Sequence, residues 1–290
     1  MKRIIVTGHK GFIGSALMNS LAKMDSVNVL GLTRSEGKDL LEYESIKSFQ
    51  KVDKIVHLAG TVGVMQSWEN PLNSFKNNIS STLNIMEYAR THKIHVIYMS
   101  SYVYGKPVSL PVDEKHPVSC TNPYAESKLQ SEMICTAYSK YFGVPVTILR
   151  PFNIYGPGQP GYNLISHLIN QLKNNSIIQV KDLSPKRDYL YIDDLIDALL
   201  QVIFSDKKHF VCEIFNLGFG QSYSVQEVID IISQLTNTDI IIQSEGKSRP
   251  NEIKNCYCNF QKFANRFSWK PQTNLKKGIL NILKVEKLIE

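Results

Sequence analysis

Tyr124-Ala125-Glu126-Ser127-Lys128 sets a phenol and an ammonium four positions apart, downstream of a serine pair, Ser100-Ser101. On a helix, positions i and i+4 share one face, a turn apart. A phenol ordinarily loses its proton near pH ~10. A neighbouring ammonium favours the phenolate and draws that value toward neutrality. A tyrosine tuned in this way can give a proton to a ketone oxygen or take one from a carbinol. The spacing also suits an ordinary exposed helix, so the surrounding elements decide its meaning.

Those elements begin at the N-terminus. Arg3-Ile4-Ile5-Val6 reads as a buried strand, followed by Thr7-Gly8-His9-Lys10-Gly11-Phe12-Ile13-Gly14 and an apolar helical stretch from Ala16 to Met24. Glycines at 8, 11 and 14 permit a tight strand-to-helix turn and close approach of the backbone to a pyrophosphate. The helix N-terminus then attracts that anion with its N–H groups and dipole. A bare tight turn could carry the same glycines. Here the strand before and the helix after supply the context that dinucleotide binding requires.

Apolar runs predict strands near 3–7, 27–32, 54–58, 94–99 and 145–150, and helical patterns fall near 12–24, 73–92 and 122–142. Pro71 and Pro123 stand at helix starts, where a missing N–H costs nothing. Strands alternating with helices are the pattern of βαβ units and a parallel sheet. Beyond Gly156-Pro157-Gly158-Gln159-Pro160-Gly161 the elements become short and mixed. A strand over 212–217 is expected to rejoin the main sheet, with helices at 193–204, 224–235, 260–267 and 276–287. Asp193, just before an apolar helical run, reads as a helix N-cap. The expected fold is α/β: a Rossmann-type doubly wound parallel sheet from 1–158 and 189–220, with a smaller C-terminal lobe from 159–188 and 221–290.

Composition excludes several classes. A chain of 290 residues with 43% hydrophobic content buries a sizeable core and is not extensively disordered. No apolar run approaches the ~20 residues of a membrane helix; Leu195 to Phe204 is broken by Asp197 and Gln201. A strand starting at residue 3 leaves no room for a signal peptide, so a cytoplasmic protein with no membrane partner is expected. Five cysteines with no Cys-x-x-Cys spacing suit a reducing compartment and structural thiols. Cys256 and Cys258 read as two positions on one strand face, and no metal site is expected. The net charge of +7 is scattered rather than clustered, so no nucleic-acid partner is expected.

Further matches run nearly the whole length. They include Val52-Asp53-Lys54-Ile55-Val56-His57-Leu58-Ala59, Asn78-Ile79-Ser80-Ser81-Thr82 and Met99-Ser100-Ser101-Tyr102-Val103-Tyr104-Gly105. Arg150-Pro151-Phe152-Asn153-Ile154-Tyr155-Gly156-Pro157-Gly158, Arg187-Asp188-Tyr189-Leu190-Tyr191-Ile192-Asp193-Asp194 and Phe215-Asn216-Leu217-Gly218 follow. With the glycine loop and the Tyr-Lys pair, these resemble the extended short-chain dehydrogenase/reductase family, in its NAD-dependent epimerase/dehydratase branch, which modifies nucleotide sugars.

The resemblance implies roles residue by residue. Ser100, four positions before Tyr104, matches the family's catalytic Ser/Thr beside Tyr124 and Lys128. Gly8, Lys10, Gly11, Phe12, Ile13, Gly14, Leu58, Ala59, Gly60, Asn78 and Ile154 match positions that hold the dinucleotide, and Asp39-Leu40 resembles the adenine-contacting pair. At the end of the second strand, NAD-specific relatives tend to carry Asp, whereas this chain has Thr33 followed by Arg34. An arginine there accommodates a 2′-phosphate, so NADP(H) is the preferred cofactor and NAD(H) the alternative. Arg34 could also simply face solvent.

For the substrate, Ser100 and Ser101 lie at the sugar, Asn153 matches a diphosphate contact, and Arg187 and Arg249 match phosphate clamps. Asn153 could instead serve a turn, and Arg187 could pair with Asp188 or Asp193. Met65 and Gln66 fall on a loop that often lines the sugar pocket. A modest positive field would help to attract a dianionic nucleotide sugar. Ser101 and Tyr102 stand where the family's 4,6-dehydratases carry an acid pair, which disfavours dehydration. A 4-ketoreductase acting on a nucleotide-linked 4-keto-(6-deoxy)hexose is the leading expectation. A 4-epimerase with tightly bound NAD is the alternative, and a catalytically silent NADP-sensing or scaffold protein is the non-enzyme one. The family also implies a homodimer through helices 73–92 and 122–142.

Overall fold

The computed structural model describes residues 1–290 except 48, 50, 174, 206–211 and 249–251. In chain order the first half comprises β1 (Lys2–Thr7), α1 (Phe12–Leu21), β2 (Val27–Leu32), α2 (Glu44–Lys47), β3 (Lys54–His57), α3 (Val64–Glu69), α4 (Pro71–Phe75), α5 (Ser81–His92), β4 (His95–Met99), α6 (Pro123–Phe142) and β5 (Val146–Pro151). The second half comprises β6 (Asn153–Tyr155), α7 (Leu164–Leu172), β7 (Ile177–Val180), β8 (Lys186–Tyr191), α8 (Ile192–Phe204), β9 (Glu213–Leu217), β10 (Ser222–Ser224), α9 (Val225–Thr236), β11 (Ile241–Ser244), β12 (Asn255–Cys256), α10 (Gln261–Phe267) and α11 (Leu275–Val285).

The chain divides into two compact units. Met1–Gly105, Pro117–Pro151 and Ile196–Asn216 form the first; Lys106–His116, Phe152–Leu195 and Leu217–Glu290 form the second. Within the second unit β6 pairs with β8.

In the first unit a six-stranded sheet runs in the order β2-β1-β3-β4-β5-β9. The pairings among β1 to β5 are parallel. Every residue of β3, β4 and β5 is buried, as expected of strands covered by helices on both faces. The edge strand β2 instead alternates between more and less exposed positions. Ile5, Ile55, Val96 and Ile148, from four strands, pack with Met86 and Ala89 of α5 and Cys135 of α6. The strand order reverses at β1 and β3, and ligands of open α/β sheets bind at the carboxyl ends flanking such a reversal.

The second unit contains β10-β8-β12 with β6 beside β8, and a separate parallel pair, β11-β7. Asp188 is fully buried there and accepts backbone N–H groups from Phe219 (2.7 Å), Gly220 (2.8 Å) and Cys258 (3.0 Å). Burial raises its carboxyl to about 6 against the pull of those three donors.

One expectation is refined and one corrected. The helix expected over 73–92 is present, but it widens into a π-helical turn over Lys76–Ser80 between α4 and α5. The helix expected to begin after an Asp193 cap begins at Ile192, which puts Asp193 and Asp194 in its first turn. Both still favour the positive dipole end from there. The described residues include no helix long and apolar enough to cross a membrane, and no His/Cys/Asp/Glu cluster suited to a metal ion.

Candidate active site

The glycine loop leaves β1 at Gly8, whose φ of 68° lies where a side chain would be strained. A Cβ on Gly14 would stand 2.2 Å from the Gly8 carbonyl oxygen, so the loop closes onto the first turn of α1 only because that position is bare. Gly11 is the N-cap of α1, in an extended conformation, and no side chain caps the helix. Its first-turn N–H groups are thus presented without a side-chain acceptor, which suits an anion.

Beside this loop, the end of β3 is tied to β1. The Thr7 hydroxyl accepts N–H groups from Leu58 and Ala59, each at 3.1 Å. With both lone pairs engaged, it gives its own hydrogen to His57 Nδ1 at 2.8 Å. The imidazole therefore carries its proton on Nε2 and donates to Thr82 Oγ1 at 3.2 Å, whose hydroxyl donates to the Asn78 carbonyl at 2.7 Å. This tautomer is assigned from the hydrogen-bond count. Burial, aided by the Lys128 charge, pushes the imidazole down to about 3.

The π-helical turn brings Asn78 inward. Its Oδ1 accepts the Thr61 N–H (2.8 Å), and its Nδ2 donates to Ser127 Oγ (2.8 Å) and the Thr61 carbonyl (3.2 Å). A Cβ on Gly60 would stand 2.5 Å from Asn78 Oδ1. The loop after β3 is thereby fixed to α6 at the residue before Lys128.

Helix α6 starts at Pro123, where the Asn122 side chain accepts the Ala125 N–H at 2.9 Å. It ends at Gly143, whose φ is 68°. Tyr124 and Lys128 therefore lie one turn apart. Tyr124 is half-buried, and its carbonyl accepts the Ser127 hydroxyl at 2.8 Å. Lys128 is buried; its Nζ donates to the Met99 carbonyl at 2.8 Å and lies 4.9 Å from the Tyr98 ring centroid. Burial lowers its ammonium to about 8, against the opposing pull of Glu132 and Cys135. Ser100 follows Met99 directly. Its Oγ is buried with no hydrogen-bond partner among the described residues, and its N–H is held by the Leu149 carbonyl at 2.8 Å. Ser101 is half-buried.

The matching family model is described as the NAD dependent epimerase/dehydratase family and spans residues 4–218. The chain belongs to that family. A Methanocaldococcus jannaschii relative, provisionally named a UDP-glucose 4-epimerase, is 32% identical over 97% of each chain. The GDP-6-deoxy-D-mannose reductase of Pseudomonas aeruginosa is 28% identical over 97% of this chain and 96% of its own. Two solved structures superpose with TM-scores of 0.89 at 26% identity. One is RMD from Pseudomonas aeruginosa with NADPH, covering 98% of each chain. The other is a mutant of the Bacillus cereus UDP-glucuronic acid 4-epimerase with NAD and a fluorinated UDP-sugar, covering 99% of this chain and 100% of that one. As in this family, the residues present fit a nicotinamide dinucleotide: an uncapped helix N-terminus behind a glycine turn, and a buried hydroxyl in need of a partner.

At the end of β2, Arg34 opens a 3₁₀ turn, Arg34–Glu36. Its Nε lies 3.3 Å from an Asp39 oxygen, and its Nη2 donates to Asn77 Oδ1 at 3.1 Å. Leu40 is in the core. Glu36 and Asn77 escaped the sequence reading. Glu36 reaches back to the glycine loop, 2.9 Å from Lys10 Nζ and 3.6 Å from His9 Nε2. The Lys10 hydrogen bond holds its carboxyl below the usual range.

Asn153, Ile154 and Arg187 belong to the second unit. Asn153 Nδ2 donates to the Asp188 carbonyl at 3.0 Å. The Arg187 guanidinium donates to the Glu252 carboxylate, the Ile253 carbonyl and the Lys186 carbonyl (2.9 Å). Glu252 lies 65 positions away along the chain, a separation at which no sequence pattern signals a pair. Arg249 lies outside the described residues. Met65 is exposed on α3, and the Gln66 side chain lies beside Gly63.

Proposed function

We propose that this chain reduces the C4 ketone of a nucleotide-linked 4-keto-6-deoxyhexose, with NADPH preferred. The observation that carries the reading is at the end of β2. Thr33 places no carboxylate there, and Arg34 stands largely exposed at the start of the next turn, suited to a 2′-phosphate. A reductase consumes a reduced cofactor each cycle and must exchange it, which the NADPH-type site suits.

The bound nicotinamide supplies the hydride. Tyr124 gives its proton to the ketone oxygen, and Ser100 Oγ donates a hydrogen bond to the same oxygen, which its buried, partnerless state in this fold favours. Lys128, charged below about pH 8, lowers the cost of the phenolate left on Tyr124. Lys10, Asn78 and the first turn of α1 hold the dinucleotide. In the second unit Asn153, Arg187 and Arg249 take the diphosphate, and Arg187 must exchange Glu252 for a phosphate oxygen pair to do so. Elimination of water lacks its acid pair, because Ser101 and Tyr102 occupy those positions. A cytoplasmic homodimer joined through 73–92 and 122–142 completes the reading.

A second reading, 4-epimerisation with retained NAD, is favoured by Glu36. Its carboxylate at Lys10 would oppose a 2′-phosphate, and Arg34 is already engaged by Asp39 and Asn77. Acid denaturation of freshly purified protein, chromatography of any released nicotinamide, and NADPH and NADH titrations decide between them. Weak retention with NADPH bound at least tenfold tighter than NADH supports reduction. Near-stoichiometric NAD overturns it in favour of the epimerase.

A further inference from the structure

Tyr124, Lys128 and Glu132 recur every four residues on α6 and form one stripe down the helix. The third member is a buried carboxylate gripped by a guanidinium. Arg150, in β5, donates from Nε to Glu132 Oε1 (2.9 Å) and from Nη2 to Oε2 (2.5 Å), and both side chains are 4% exposed. Its remaining Nη1 donates to the Tyr104 hydroxyl at 3.0 Å, which in turn donates to Asn216 Oδ1 at 2.5 Å. Tyr104 lies on the loop that carries Ser100. One polar node thus joins the catalytic helix, the Ser100 loop, β5 and β9.

Stability is a weak reason to keep such a node, because a buried ion pair seldom outperforms well-packed apolar residues. We infer that Glu132 and Arg150 are positioning residues whose opposed charges set the electrostatic potential along the Tyr124–Lys128 stripe while Tyr104 fixes the Ser100 loop to them. This rests on the assignment of Tyr124 and Lys128 given above.

The groups acting on Lys128 are Tyr98 from β4, His57 from β3, and Glu132 and Cys135 from its own helix, with Tyr124 one turn before it in sequence. His57 and Cys135 are held neutral by burial. Cys120 and Cys212, which sense Glu132 and Arg150, are likewise raised by burial. Glu126, between Tyr124 and Lys128 in sequence, is partly exposed and accepts a hydrogen bond from Gln130 at 3.1 Å, whereas Glu132 and Arg150 are a buried pair of opposite charges. Neutralising the carboxylate leaves a buried cation that favours the phenolate; neutralising the guanidinium leaves a buried anion that disfavours it.

The test needs neither sugar nor cofactor. Tyrosinate absorbance is titrated against pH in the parent and in Tyr124→Phe, and the difference reports Tyr124 alone. The same difference is then taken in each node variant. Glu132→Gln is expected to lower the Tyr124 midpoint by about one pH unit, and Arg150→Met to raise it by about one unit. Arg150→Lys, which keeps the charge and loses the fork, returns it to the parental value. Shifts of the same sign, or none, in folded variants overturn the inference. So does loss of cooperative melting in both Glu132→Gln and Arg150→Lys, which would make the node structural alone. Absence of turnover on every 4-keto sugar would sink the reductase reading and leave these midpoints untouched.

Discussion

Lys128 and Arg187, one in each unit, show two ways of holding a cation. Lys128 is buried against a carbonyl and an aromatic ring, with its ammonium lowered to about 8. Arg187 is partly exposed and answered by a carboxylate and two carbonyls. The first arrangement makes the ammonium costly to keep charged. The second neutralises a permanent charge with a carboxylate. Under the proposed function, the first arrangement serves a region that moves protons and the second one that exchanges anions.

The sharpest way to break that contrast is at the proton. Tyr124→Phe should lower turnover by roughly 10²–10⁴-fold and leave cofactor affinity within about twofold; an equally active variant would remove the catalytic assignment. Next in size is the charge on Lys128. The unfolded chain holds that proton up to 10.5 and the folded chain only to about 8, so the buried ammonium costs stability below pH 8. The cost vanishes as pH climbs to 10.5 and is on the order of 3 kcal/mol at neutral pH. Lys128→Met should melt higher than the parent at pH 7, with the gap closing between pH 8 and 10.5. A constant gap would mean that the ammonium is not strained by burial.

Smaller effects should come from the anion-exchanging region. Arg187→Ala should raise KM for the nucleotide sugar about tenfold with kcat little changed, the mark of binding lost equally from ground and transition states. Glu252→Gln should act in the opposite sense, lowering KM a few-fold by releasing Arg187, with kcat again unchanged. If both variants changed kcat instead, the two regions would not be functionally distinct.

Much of the first unit was legible because its signals are local. Apolar runs located the strands, and β2 fell at 27–32 as expected. Pro123 marked the start of α6 from the sequence, while the Asn122 side-chain cap emerged only in the structure. The roles given to Ser100, Tyr124, Lys128 and the glycines came from the family resemblance rather than from a local pattern alone. What escaped depends on distance. Glu36 meets Lys10, Glu132 meets Arg150, and Arg187 meets Glu252 across separations that carry no periodic trace. Helix α3 was missed because six residues are too few for an amphipathic pattern to repeat. The Thr7–His57–Thr82 chain was equally hidden, since each residue alone is an unremarked polar position in a strand or helix.

The wide turn at Lys76–Ser80 has an evolutionary corollary. It behaves as one surplus residue threaded into an otherwise regular helix. Removing any single residue from this stretch would let ordinary winding resume. The helix on either side would keep its relative orientation, because the wide turn absorbs the extra residue, and only the side chains within the turn would be re-aimed. Asn78 would swing off Ser127, and the tie between the loop after β3 and α6 would be lost without a single substitution. Length, rather than residue identity, is therefore the property that descendants of this chain can least afford to vary here.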